Sequence, residues 1–246
     1  MLASFKRWFA RDPAAARWAE IDAWAKAAGH RFARAREGEG FVVDAAASGV
    51  ATQRPWRLEW GPPQRAYITG QELRIRIELG LPSSLQMLLM SRALMESLES
   101  EIFERSTQDL QTHVDMSTPE EMRWLSMFAK SPLTQRALRP HFGGVSNGPA
   151  LLAGWVEGAL AECLEAAAAT MLKAGPPFLL MTLRGRLYLR LQLAEVDPPT
   201  VAQAVDIFDA AIASATLIAT GLRQDAEAAW PSSGATAWQN QYPPDA

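Results

Sequence analysis

Leu73-Arg74-Ile75-Arg76-Ile77-Glu78-Leu79 alternates apolar and charged residues, and so does Leu183-Arg184-Gly185-Arg186-Leu187-Tyr188-Leu189-Arg190-Leu191-Gln192-Leu193. Strict period-two alternation predicts a strand with one buried and one wet face. In both segments the wet phase is mostly arginine. Each is followed, after a Pro-containing break, by a long run of helical spacing. Together they predict an α+β fold in which antiparallel strands pack against long helices in two layers. The order strand, strand, helix recurs over 55–105 and 178–222, so the pattern admits a diverged internal duplication. Both segments are expected to pair within one continuous sheet.

Residues 2–28 read as helix, broken at Asp12-Pro13, with Trp18, Ile21, Trp24 and Ala25 on one stripe. Between 31 and 79 the chain reads as a meander. Phe32–Arg36 and Phe41–Ala45 flank the turn signal Gly38-Glu39-Gly40, Trp56, Leu58 and Trp60 alternate with charges, and Arg65–Thr69 precedes the turn at Gly70. A helix is expected from Ser83 or Ser84 to about Arg105, and a short strand over Leu110–Met116. Thr118-Pro119-Glu120-Glu121 reads as a helix start in which Thr118 caps and Glu121 bonds back to the cap amide. Pro132 starts another short helix before Pro140. Phe142 to Gly148 reads as a loop, and Leu151–Lys173 as one long helix. A final helix runs from Pro198-Pro199 through Ile218.

These elements divide the chain into an N-terminal helical segment, 1–29, a single α+β domain, 30–222 (with halves 30–117 and 118–222), and a mobile tail, 223–246. The tail is rich in Ala, Ser, Gly, Pro and Gln, yet it carries Trp230 and Trp238. The length of 246 residues and the 48% hydrophobic content are enough for a substantial core. A net charge of −3 argues against a dedicated nucleic-acid binder. Charge is uneven, however: residues 1–36 hold eight cations and three anions, a local net of +5. The lone Cys163 cannot form an internal disulfide and reads as a small buried hydrophobe. It also fits a reducing compartment. No secretory signal is read, and no run of about 18 apolar residues suggests a membrane span. The expected location is the cytoplasm, with peripheral contact at the inner membrane as an alternative.

Candidate chemistry begins with the arginines. Arg57, Arg65, Arg74, Arg76, Arg184, Arg186 and Arg190 share one sheet surface if their strands are neighbours. Guanidinium groups bind phosphate and carboxylate bidentately, so such a surface would take an anion or an acidic partner. The competing reading is a solvated face with cross-strand pairs to Glu59, Glu72 and Glu78. The basic amphipathic segment Phe5, Lys6, Arg7, Trp8, Phe9 could lie on an anionic membrane or a partner helix. On a strand, His113 would share a face with Asp109 and Asp115, an arrangement suited to acid–base work. None of His30, His113 and His141 stands at metal-ligand spacing with another His or with Cys163, and no cofactor fingerprint is present. The glycine run at Gly143-Gly144 matches neither phosphate-binding motif. The composition, Ala- and Arg-rich with dispersed tryptophans, is of a bacterial type. The function expected is therefore a non-catalytic binding or scaffolding protein acting through its sheet face or N-terminal helix. A protein partner or a second copy of the chain is the expected occupant, the latter because nine tryptophans and nine methionines supply adaptable apolar surface. An enzyme with its site around His113 and a peripheral membrane protein are the alternatives.

Overall fold

The computed structural model describes residues 17–35, 39–45, 54–108 and 118–229. Along the chain run α1 (Ala19–Ala27), β1 (Arg31–Arg34), β2 (Phe41–Asp44), β3 (Trp56–Gly61), β4 (Glu72–Glu78) and β5 (Met87–Ser91). They are followed by α2 (Arg92–Gln108), α3 (Glu120–Met127), β6 (Phe142–Ser146), α4 (Pro149–Trp155), α5 (Gly158–Ala169), β7 (Phe178–Leu183), β8 (Arg186–Gln192) and α6 (Pro198–Ala229). The strands form one open sheet, antiparallel at every pairing, in the order β1-β2-β3-β4-β8-β7-β5-β6.

The two alternating segments are direct neighbours. Leu73 faces Leu191, Ile75 faces Leu189 and Ile77 faces Leu187 across β4 and β8. Trp56, Leu58 and Trp60 of β3 continue that face, and all are buried. Helices α1, α4, α5 and α6 cover it. Burying a large apolar side chain contributes about 1.5–3 kcal/mol, so this alternation sets which way the sheet faces. Helix α6 lies along the layer with Val201, Phe208 and Ile212 inward, separated by Ala204, Ala211 and Ala215. By length and composition its stretch Pro198–Gln224, of mean hydropathy 1.5, is apolar enough to cross a membrane, which corrects the expectation that no such run exists. In this fold its apolar side serves as sheet-packing surface, and Asp206 and Asp209 fall on exposed positions.

Over β5, β6 and β7 the opposite face is covered too. Leu88, Met90, Val145, Leu179 and Met181 pack under Leu94, Met95 and Leu98 of α2 and Met122 and Trp124 of α3. This explains two differences from the sequence pattern. The expected helix from Ser83 begins only at Arg92, because Met87–Ser91 is a strand buried on both faces. A strand covered on both sides has no alternation to display and resembles a buried helix segment. The expected loop at Phe142–Gly148 contains strand β6. Its glycines mark close approach rather than a turn: a Cβ on Gly144 would sit 2.2 Å from the Leu88 carbonyl oxygen and 2.8 Å from Leu152 Cδ2.

Other boundaries shift for local reasons. The long helix expected over Leu151–Lys173 is two helices, broken where Gly158 takes φ +54°. Residues 132–140 and 65–69 form turns instead of a helix and a strand. Between β7 and β8, Arg184 (φ 51°) and Gly185 (φ 81°) form a two-residue hairpin closed by the Leu183–Arg186 pair. Positive φ at both central residues matches the twist of antiparallel strands. Of the two strand–strand–helix runs, the first carries the extra strand β5 and sends α2 to one face, while the second sends α6 to the other.

Candidate functional site

Where α2 and α3 end, the second face of the sheet opens, and β3, β4 and β8 present their polar phase there. Arg57, Glu59, Glu72, Arg74, Arg76, Glu78, Arg186 and Arg190 all lie on it. The register sets Arg57 directly opposite Arg76, and Arg74 directly opposite Arg190. Like charges facing each other across strands are destabilising unless something of opposite sign intervenes. Two glutamates intervene. Glu59 accepts from Arg57 Nε at 2.8 Å and Arg74 Nη2 at 3.2 Å, and lies 3.9 Å from Arg76 Nη2. Burial pushes its pKa up, but the surrounding guanidinium groups outweigh that and hold it below the usual carboxylate range. Glu72 is fully buried (0% exposed), taking the Gln64 amide at 2.7 Å, Arg74 Nη1 at 3.2 Å and Arg190 Nη1.

Arg57 and Arg76 stand outward of the recessed Glu59 and Glu72, whereas Arg74 and Arg190 lie low, at 17% and 13% exposed. Glu59 is 23% exposed, against 43% for Arg57 and 59% for Arg76. The outlying pair Arg186–Glu78 balances, and Asp44 is shared between Arg31 at 3.2 Å and Arg57 at 3.6 Å. Counted with Arg31, the five arginines Arg31, Arg57, Arg74, Arg76 and Arg190 meet three carboxylates, Asp44, Glu59 and Glu72, which leaves two positive charges in excess. Arg57, Glu59, Arg74, Arg76, Tyr188 and Arg190 enclose a depression of about 70 Å³.

The loop between β3 and β4 is fastened to α3 beside this face. Glu121, buried to 1% exposure, accepts from Arg65 Nε and from the Tyr67 hydroxyl, each at 2.6 Å. Burial alone would raise the Glu121 pKa, but Arg65 and Tyr67 bring it below the usual carboxylate range. Burial and Glu121 push the Tyr67 hydroxyl up, so it stays protonated and donates. Glu121 therefore does not close a capping box: α3 starts at Glu120 without a side-chain cap. Neither Glu72 nor Glu121 stands out in the sequence, since one looks like a wet-phase residue and the other like a cap.

Of the arginines singled out from the sequence, Arg57, Arg74, Arg76, Arg186 and Arg190 come together on the face. Arg65 serves the Glu121 fastening, and Arg184 belongs to the β7–β8 turn, where its positive φ takes it off the sheet surface. Asp109, His113 and Asp115 lie outside the described residues, as do Phe5, Lys6, Arg7, Trp8 and Phe9, the expected strand over Leu110–Met116, and Trp230 and Trp238. His30 packs between Trp24 and Trp56, with ring centroids at 6.0 and 4.8 Å, and burial lowers its pKa. Burial, with Asp206 and Glu162, raises the pKa of the Cys163 thiol. Among the described residues, no group of three or more His, Cys, Asp and Glu could hold a metal ion. Compared with models of protein families, with curated proteins and with solved structures, the chain matches none.

Proposed function

We propose that the protein is a non-catalytic binding module whose open arginine face docks an acidic segment of a protein partner. The observation that carries this reading is the geometry of the face: two directly opposed Arg–Arg pairs, of which Arg57 and Arg76 hold their guanidinium groups outward over the recessed Glu59. A sheet face built only for solubility gains nothing from placing like charges opposite each other. A face that receives carboxylates does gain, because each planar guanidinium offers a bidentate contact. The size of the depression favours a docking surface over a substrate pocket. At about 70 Å³ it is far below the roughly 300–1,000 Å³ of small-molecule sites. An extended acidic peptide crossing the strands would meet Arg57, Arg76 and Tyr188 in turn. Tyr188 alone offers little for base stacking, which favours a protein over a nucleic acid. The single cysteine favours a cytoplasmic setting.

Fluorescence anisotropy with a labelled oligoglutamate peptide tests the reading. Binding should appear at low salt, weaken steeply with added salt and fall about tenfold on Arg76→Ala, the loss of one charge-assisted contact. Oligolysine should not bind. No binding at low salt, or equal binding by Arg76→Glu, would refute the proposal. Salt-sensitive self-association in sedimentation velocity, lost in the same variant, would identify a second copy of the chain as the partner.

A further inference from the structure

A separate cavity lies at the far end of the sheet, where the first turn of α2, the edge strand β6 and residues 130–139 meet. Its volume is about 380 Å³, within the range of small-molecule sites. Three cations line it: Arg92, Lys130 and Arg139. Lys130 is paired with Glu99 at 2.8 Å. The two guanidinium groups are held differently. Arg92 donates to the Arg139 carbonyl through Nε at 2.8 Å and also through Nη2, and to the Phe142 carbonyl through Nη2 at 3.0 Å. Arg139 donates to the Leu133 carbonyl at 2.8 Å and to the Thr134 carbonyl at 3.3 Å. Backbone carbonyls fix the orientation of a guanidinium without neutralising it. Neither arginine pairs with a carboxylate among the described residues, and Nη1 of each carries no hydrogen bond there.

The position of Arg92 sharpens the point. It opens α2, a helix with no acidic residue in its first turn. The helix dipole disfavours a cation at that end and favours an anion, so Arg92 is poorly placed for helix stability and well placed beside an anionic ligand. Met95, Leu133 and Phe142 give the remaining wall its apolar part, beside Ser131, whose hydroxyl is bonded to Ser146. We infer that this cavity binds a small organic anion, its oxyanion held between Arg92 and Arg139 and its short apolar body against Met95 and Leu133. Preorganised donors of fixed direction lose little freedom on binding. The inference stands independently of the sheet-face reading, because the two sites share no residue.

Calorimetric titration of the full chain decides the matter, using acetate, inorganic phosphate, hexanoate, hexyl phosphate and hexylamine. Hexanoate or hexyl phosphate should bind at least about tenfold more tightly than the matching headgroup alone, and the stronger of the two identifies a carboxylate or a phosphate ligand. Hexylamine should not bind. Arg139→Gln, on an exposed side chain, should weaken binding about tenfold or more with the circular dichroism spectrum unchanged. Lys130→Met, which leaves Glu99 unpaired at the rim, should weaken it independently. Equal affinity for acetate and hexanoate and for phosphate and hexyl phosphate, binding of hexylamine, or undiminished binding in both variants would overturn the inference.

Discussion

Replacing Glu121 by alanine should loosen the fastening between α3 and the β3–β4 loop, and the cost follows from three contributions. The carboxylate accepts from Arg65 Nε and from the Tyr67 hydroxyl, both at 2.6 Å. A bond involving a charged group contributes about 1.5–3 kcal/mol. Arg65 is 29% exposed and regains part of its hydration once freed, which puts its share near the lower end. Removing the buried carboxylate also relieves its own desolvation cost, which offsets part of the loss. The expected net destabilisation is about 2–3 kcal/mol. With a urea m-value of about 3 kcal/mol/M, the unfolding midpoint falls by roughly 0.7–1 M. A double-mutant cycle with Arg65→Ala isolates the pair, with an expected coupling of about 1.5 kcal/mol at neutral pH. The folded pKa of Glu121 lies below its unfolded value, so this stability is present above the ordinary carboxylate pKa of about 4.3 and is lost as pH falls through the lower folded value. The coupling should therefore be flat between about pH 7 and 5 and vanish in stronger acid. A coupling under about 0.5 kcal/mol, or one that grows as the solution is acidified, would refute the account.

Four further outcomes are expected. Glu72→Gln brings an amide N–H₂ up against either the Arg190 donor or the Arg74 and Gln64 donors in a fully buried position, so it should cost about 3 kcal/mol and lower the melting temperature by roughly 6–12 °C in calorimetry. Gly144→Ala forces its Cβ onto the Leu88 carbonyl and should destabilise by more than about 3 kcal/mol in chemical denaturation. Gly221→Ala in α6, with nothing within 4 Å, should stabilise by about 0.5–1 kcal/mol. Cys163, its thiol pKa raised by burial, should react with a thiol reagent at neutral pH far more slowly than free cysteine, and a rate equal to the free amino acid would contradict its placement.

The legible parts of the fold were those where burial is one-sided. Leu73–Leu79 and Leu187–Leu191 face helices on one side and water on the other, so their alternation reported strand and face together, while their direct pairing is seen only in the fold. Met87–Ser91 is covered twice and lost that signal. Gly143 and Gly144 carry the residue type of a turn, but their smallness serves the close approach of β6 to its neighbours. At the arginine face the cation row was readable, because wet-phase positions follow from the pleat. The recession of Glu72 was not, since it depends on the Gln64 amide arriving from a loop. Glu121 and the Arg92–Arg139 cavity join residues 56 and 47 positions apart, and no local pattern encodes such meetings.

The hairpin β7–β8 sits at the middle of the sheet, yet the ribosome makes it last among the strands. Until it emerges, β1–β4 and β5–β6 are two unjoined ribbons, and the partner that seals Glu72 lies 118 positions downstream at Arg190. Vectorial synthesis therefore cannot finish this protein piecemeal. The growing chain carries two raw edges from the completion of β5 until β7 and β8 follow, and closes them in a single late insertion. Any message truncated ahead of Phe178 yields a product with no keystone, destined for chaperones or proteolysis rather than for partial function.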